Sequence, residues 1–274
     1  DKNIIKKFIS YGFPLTGLFF FDYILTSSDR IIIGYFFDSK MVGIYGANYD
    51  FIKQIILFLV IVQGLIIYPE INRTYEKGNQ IELGNLMSLN FNLLIVIILP
   101  LSIFVAFFNE FITSIFIGDS FNYSSSLLIP SFSFMFFFWG LKIYHFDYVF
   151  FLREKTKVSM KILFFGSLFN ICLNLVLIPR YELMGAAFST LLAYLICLVL
   201  SVYKGRSLMR LNINKPIILK TLSFVSISII ITFIIESMNL HIGYQILTFI
   251  LIYSLLTLFF NSVTLKNFLK RFVF

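Results

Sequence analysis

Charge is what this sequence has least of. Only 13% of its 274 residues are Asp, Glu, Lys or Arg, against about 25% in soluble globular domains. So few charges cannot cover a water-exposed surface, which excludes an ordinary soluble domain. Cysteine is almost absent. Cys172 and Cys197 both lie inside apolar runs, which excludes a disulfide framework, and they lack metal-ligand spacing. Histidine occurs twice, at His145 and His241, too sparsely for a metal cluster or a recognisable catalytic histidine motif. No Gly-rich phosphate loop is present, so the sequence offers no self-contained ATP hydrolysis. No stretch is long and polar enough to fold as a catalytic domain; the longest charged connection runs from about Lys204 to Lys215. These absences predict a protein that is not an enzyme and carries no cofactor and no metal.

What is present is apolar. Hydrophobic residues make up 59% of the chain, with 36 Phe and 15 Tyr, and mean hydropathy is +0.90. A spanning helix needs about 20 mostly apolar residues. Eight stretches qualify: Phe8 to Phe37, Val42 to Ile71, Glu82 to Glu110, Tyr123 to Leu152, Lys161 to Pro179, Leu183 to Tyr203, Pro216 to Ile235 and Ile242 to Leu265. The fold class expected is therefore an all-α integral membrane protein with eight transmembrane helices.

The net charge of +8 would suggest nucleic acid in a soluble protein. Here the basic residues sit between apolar runs, so topology and anionic lipid headgroups explain them. They also alternate. Lys2, Lys6 and Lys7, then Arg73 and Lys77, Arg153 to Lys161, Lys204 to Lys220, and Lys266 to Arg271 occupy one set of connections; the other set has only Lys40 and Arg180. Lys and Arg are retained on the cytoplasmic side, which predicts both ends cytoplasmic and an even number of spans, in a bacterial inner membrane. The chain begins at Asp1, which suggests a fragment lacking an N-terminal portion. The outward connection from Asn109 to Ser124 is too apolar for a free loop and is expected at the interface or against the bundle. Thr264 to Phe274 reads as an amphipathic cytoplasmic tail.

Three stretches carry a resemblance. The first is Tyr11-Gly12-Phe13-Pro14, with Ser28-Asp29-Arg30-Ile31-Ile32-Ile33-Gly34 and Val42-Gly43-Ile44-Tyr45. The second is Ile115-Phe116-Ile117-Gly118 with Phe121. The third is Asn170-Ile171-Cys172-Leu173-Asn174, Ile178-Pro179 and Gly185-Ala186-Ala187. In order and spacing they resemble the second half of polysaccharide (O-antigen) flippases of the multidrug/oligosaccharidyl-lipid/polysaccharide, MATE-like, exporter superfamily. The sequence departs from that pattern at Glu182, where the family usually has Gly after the aromatic residue. The resemblance implies that residues 1–205 form the second six-helix transport lobe and 206–274 two additional helices with the tail. It implies alternating access and a polyprenyl-diphosphate-linked oligosaccharide as partner, with membrane lipids around a monomer. A drug exporter of the same superfamily is the nearest alternative; a polytopic sugar polymerase or acyltransferase is the alternative of another class.

Ionisable residues at membrane depth are expensive and mark function by default. At ~1.5 Å per residue, Asp29 and Arg30 lie about 11 Å below the outer end of the first span, and Asp50 and Lys53 about 13–18 Å along the second. These four are expected to cluster. Either they pair and join two helices, or Arg30 and Lys53 face a cavity and attract the substrate diphosphate, a task that suits the planar guanidinium. Lys142, His145 and Asp147 lie in the inner half of the fourth span. Lys142 is either a headgroup contact or snorkels to the interface, while His145 and Asp147 pair locally or relay protons. Asp22 stands alone in the first span and either carries a coupling proton or ion or bonds a neighbouring helix. The candidate substrate-binding residues are thus Arg30, Lys53 and Lys142; the candidate charge-pair or coupling groups are Asp22, Asp29, Asp50, His145 and Asp147. Asn170 and Asn174, four apart on one face, are expected to hydrogen-bond across helices. Gly185-Ala186-Ala187 suits close helix packing. Pro14, Pro100 and Pro130 predict kinks, and Trp139 is either packing or a sugar platform.

Overall fold

A computed structural model describes residues 2–117, 127–209, 214–238 and 241–260, with side chains from residue 12 onward. Gly118, Phe121 and the tail from Thr264 lie outside the described residues, as do the side chains of Lys2, Lys6 and Lys7. The described chain is all-helical: α1 (Lys2–Phe36), α2 (Ser39–Glu76), α3 (Gln80–Leu93), a π-helical turn (Leu94–Ile98), α4 (Leu99–Phe107), α5 (Asn109–Phe116), α6 (Leu128–Leu141), a second π turn (Lys142–Phe146), α7 (Tyr148–Leu152), α8 (Thr156–Arg206), α9 (Lys215–Ser237) and α10 (Ile242–Phe260). Among the described residues five helices are long and apolar enough to cross a membrane: Ser39–Glu76, Gln80–Phe107, Thr156–Arg206, Lys215–Ser237 and Ile242–Phe260. The chain is an all-α integral membrane protein.

Helix α8 is 51 residues long but makes two passes. Its backbone breaks at Glu182 (φ 52°, ψ −131°). Beyond the break the chain returns along itself: Ser189 bonds Asn174, Asn170 bonds Thr190, and Cys197 reaches the Ile162 carbonyl. Those pairings run in opposite directions along the chain, so α8 is an antiparallel hairpin. Its tightness explains Gly185, where a Cβ would collide with the Leu177 carbonyl oxygen. Adding α1, the α6–α7 stretch and both arms of α8 to the other apolar helices gives, among the described residues, eight helical stretches that match the eight apolar runs of the sequence.

The helices form two compact units, residues 1–60 with 105–211, and residues 61–104 with 212–274. In the first, α1 runs parallel to the first arm of α8. Gly17 lies at Met160, Leu25 at Gly166 and Ser28 at Asn170, so the contacts advance together. The second arm and α2 run antiparallel to α1, as Asp29 shows by meeting both Thr190 and Tyr45. Helix α6 crosses α2 through Tyr45, Tyr49, Phe132 and Phe136, with ring centroids 5.0–5.9 Å apart. The apolar outward segment expected at the interface includes α5. It buries Ile112 and Thr113, and Phe116 stacks on Phe51 at 5.4 Å.

In the second unit a proline defines the architecture. Pro100 has no N–H to give to the carbonyl four residues back, which belongs to Val96 in the π turn. The Tyr253 hydroxyl of α10 donates to that carbonyl at 2.5 Å, and Phe104 packs on Phe249. Gln63 also bonds the backbone and side-chain oxygens of Asn90 at 2.9 and 2.8 Å. Pro130 behaves differently from the kink expected. It sits in the first turn of α6, where a missing N–H leaves no helical bond unmade.

Candidate functional site

The polar groups of the first unit fall on one seam, described from the Asp29 end toward Lys142. Asp29 is fully buried. Its Oδ2 accepts from Tyr45 at 2.5 Å and from Thr190 at 2.6 Å, and its Oδ1 accepts from Asn174 at 2.6 Å. The donors are themselves held. Asn170 donates to Thr190 at 3.0 Å, Asn174 donates to Asn170 Oδ1 at 3.1 Å, Ser28 donates to the same oxygen at 2.8 Å, and Ser189 donates to Asn174. Three of these donors, Tyr45, Thr190 and Asn174, reach the carboxylate directly and the others hold them in place, and no ammonium or guanidinium takes part. Chemically it is a carboxyl group in a cage of neutral donors, set at the crossing of α1, α2 and both arms of α8.

This corrects the expected four-charge cluster. Asp29 and Arg30 are neighbours in sequence, and on a helix neighbours point about 100° apart. Arg30 turns the other way and pairs with Asp50, Nη2 to Oδ1 at 2.6 Å, with the two side chains 34% and 60% exposed. Its guanidinium lies over the Tyr49 ring at 5.4 Å, and the Lys53 ammonium lies 6.0 Å from the same ring. A Cβ on Gly46 would come within 3.6 Å of the Arg30 guanidinium carbon. So Arg30, Asp50 and Lys53 do gather, around an aromatic ring and on an accessible surface, while Asp29 belongs to a separate buried network.

Asp22 does not stand alone. It is half-buried and accepts from the Trp139 indole N–H at 3.3 Å; Lys142 and Lys53 both act on it electrostatically. Trp139 is therefore a hydrogen-bond donor as well as packing. Lys142 does not snorkel. It is fully buried and its ammonium pairs with Asp147 Oδ2 at 2.5 Å, the same oxygen that accepts from Ser159 at 2.6 Å. Asp147 thus takes Lys142 and Ser159 rather than His145. The pairing depends on the π turn at Lys142–Phe146, closed by the Asp147 amide donating to the Lys142 carbonyl at 2.7 Å. In this conformation Lys142 faces no accessible surface. His145 is buried one turn away, its ring edge-on to Phe146. Among the described residues no group of three or more His, Cys, Asp and Glu side chains could hold a metal ion.

Asn170 and Asn174 bond across helices, as their spacing predicted. The residues that sequence reading missed are Tyr45, Tyr49, Ser159, Ser189, Thr190 and Tyr194. A signal existed for four of them. Tyr45 with Tyr49, and Thr190 with Tyr194, stand four apart inside apolar spans, so each pair forms a polar stripe on one helix face.

Comparison with known proteins bears on the same helices. Residues 1–126 match the family described as polysaccharide biosynthesis protein. That stretch is similar to the polysaccharide biosynthesis family. It carries Asp22, Asp29, Arg30, Asp50 and Lys53 and ends before Lys142. The match agrees with the resemblance read from the motifs, and the MATE-like superfamily placement is consistent with it. An uncharacterized membrane protein of Methanocaldococcus jannaschii is 26% identical over 207 residues, which are 74% of this chain and 40% of that relative. The chain therefore spans less than half the length of the relative it matches.

Proposed function

We propose that this chain forms one lobe of an alternating-access carrier that flips a polyprenyl-diphosphate-linked oligosaccharide during polysaccharide biosynthesis. On this reading it sits in the bacterial plasma membrane with both ends of the segment cytoplasmic. The carrier works as a monomer and makes no covalent change in its substrate. The observation that carries the proposal is the cationic surface around Tyr49. Two cations, Arg30 and Lys53, flank one ring beside a single exposed carboxylate, Asp50, within the family-matched stretch. A diphosphate exchanging for Asp50 would receive the paired N–H donors of the Arg30 guanidinium. A cationic drug would instead meet two like charges, so the anionic lipid headgroup suits the site better. Asp29 is the coupling group, because a buried anion with neutral partners responds most to an arriving positive charge.

The test uses cells expressing the full-length protein in place of the native gene. Wild type is compared with Arg30→Ala and Lys53→Ala at matched abundance. The expected result is surface polysaccharide in wild type and accumulation of the lipid-linked unit on the cytoplasmic face in both variants. Normal export by both variants would overturn the site; intact export after deletion of the gene would overturn the function.

A further inference from the structure

Two buried phenol hydroxyls in the first unit have no protein partner. Tyr49 is 1% exposed and Tyr194 is 0% exposed, and neither phenolic oxygen makes a hydrogen bond. A buried hydroxyl without a partner costs about 1–3 kcal/mol, so two on one seam call for an explanation.

Their location supplies one. Asp29 bonds Tyr45 on α2 and Thr190 on the second arm of α8. Both helices run antiparallel to α1. Tyr49 and Tyr194 are each four residues further on, hence one helical turn, about 6 Å, nearer to Lys142 than Asp29 is. Asp22, seven residues before Asp29 on α1, is displaced about 10 Å in the same direction. The two phenols therefore occupy the level between the two carboxylates. They interact electrostatically with Asp22, with Asp29 and with each other.

The groups around the ends differ. Asp29 is sealed, and its partners from α2 and both arms of α8 are all neutral. Asp22 is only half-buried, faces Trp139 from α6, and lies in the field of Lys142, Lys53 and Asp147. Arg30 and Asp50 act on Tyr49, and Cys197 acts on Tyr194. Asp22 is thus the more open end of the seam.

We infer that Asp22, Tyr49, Tyr194 and Asp29 form a proton relay, in which a proton taken up at Asp22 is delivered to Asp29 through the two phenol hydroxyls. The step balances without redox change. The O–H bond of the Asp22 acid breaks as a phenol oxygen, directly or through a bridging water, gains that proton. The same phenol passes its own proton on, and an O–H bond forms on Asp29. The phenols end as they began, and one positive charge has moved from a partly open carboxylate to a sealed one. This assigns Tyr49 and Tyr194 a role and deepens the coupling part of the flippase reading. Its test needs no substrate, so it stands or falls separately from that reading.

The experiment is time-resolved infrared spectroscopy of the purified full-length protein in lipid nanodiscs after a rapid pH drop, following the carboxylic-acid band that disappears in Asp29→Asn. Wild type is expected to gain this band, and Tyr49→Phe/Tyr194→Phe to gain it with the same final amplitude but about a hundredfold more slowly, the lower end of what a positioned proton-transfer group contributes. Asp22→Asn is expected to slow it as well. Tyr→Phe removes no hydrogen bond here, so the double variant should fold, and unchanged amplitude verifies this. Tyr45→Phe, which removes a donor from Asp29, should shift the band without slowing it. The relay is overturned if the double variant gains the band at the wild-type rate, or if wild-type Asp29 keeps one protonation state throughout the accessible pH range.

Discussion

Asp29 and Asp147 are both buried carboxylates in the same unit, and they are satisfied in opposite ways. Asp147 has a full countercharge, the Lys142 ammonium at 2.5 Å, plus one hydroxyl. Asp29 has three neutral donors and no cation. In a low-dielectric interior a close ion pair is strong only while both members remain, and removing one leaves an uncompensated charge. A carboxylate held by dipoles has no such dependent. The first arrangement locks helices together; the second leaves room for a positive charge to come and go. The seam thus joins a structural anchor at one end to a responsive group at the other.

The largest effect should come from breaking the anchor. Asp147→Ala is expected to destabilise the purified protein by about 3–5 kcal/mol by stranding the Lys142 charge, read as a large fall in midpoint in a thermal-unfolding series in detergent. Lys142→Met combined with Asp147→Leu should recover most of that loss, because a volume-matched apolar pair removes both charges. Asp29→Asn should lower stability by only about 1 kcal/mol, the scale of one or two rearranged hydrogen bonds. If Asp29→Asn proves as damaging as Asp147→Ala, the contrast between anchor and responsive group fails.

A neutral case calibrates that contrast. The Val96 carbonyl, freed by Pro100, is served by a single phenol just as Asp29 is served by Tyr45. Tyr253→Phe leaves this carbonyl without its donor and should cost about 1–3 kcal/mol, measured by the same unfolding series. A loss near zero would mean that the donor contributes little, and would weaken the claim that neutral donors hold Asp29.

The backbone carrying two of the Asp29 donors is strained. Asn174 and Thr190 stand on opposite arms of the α8 hairpin, whose turn places Glu182 at φ 52°, ψ −131°. That region is natural only to glycine. Glu182→Gly should therefore stabilise by about 1 kcal/mol, seen as a higher unfolding midpoint. A lower midpoint would show that the Glu182 side chain contributes more than its backbone strain removes. The sequence had already marked this position as a departure from the family pattern, so backbone conformation supplies the reason that pattern uses glycine.

Other features were legible to different degrees. The eight helical stretches could be read because apolar runs and basic connections alternate, and both signals repeat along the whole chain. The charged residues at depth could be named for the same reason. Their partners could not. Asp29 and Arg30 diverge by a rotation of about 100° that residue spacing alone does not assign to a neighbour. Lys142 and Asp147 would point about 140° apart on an α-helix; only the π turn, with its i to i+5 bonds, brings them together. No residue type announces a π turn, so the Lys142–Asp147 pair was hidden and snorkelling stayed open as a reading of Lys142; the local pairing of His145 with Asp147 had no such excuse, because residues two apart do not face each other on an α-helix. Tyr49 and Tyr194 were hidden because tyrosine in an apolar span reads equally well as packing, and their unpartnered hydroxyls are a property of the folded bundle.

The smallest effect on stability is expected where the functional effect is large. Arg30 and Asp50 form a partly exposed pair, and such pairs contribute about 0.2–1 kcal/mol. Arg30→Ala should therefore leave the unfolding midpoint almost unchanged while stopping polysaccharide export at matched abundance. Arg30→Lys sharpens the test. It keeps the charge over Tyr49 but loses the two-pronged donor set, so it should restore export only partly if a diphosphate is bound through the guanidinium. Full restoration would mean that charge alone matters. A midpoint that falls as far as in Asp147→Ala would place Arg30 among the anchors, and the accessible cationic surface would lose its claim to the substrate.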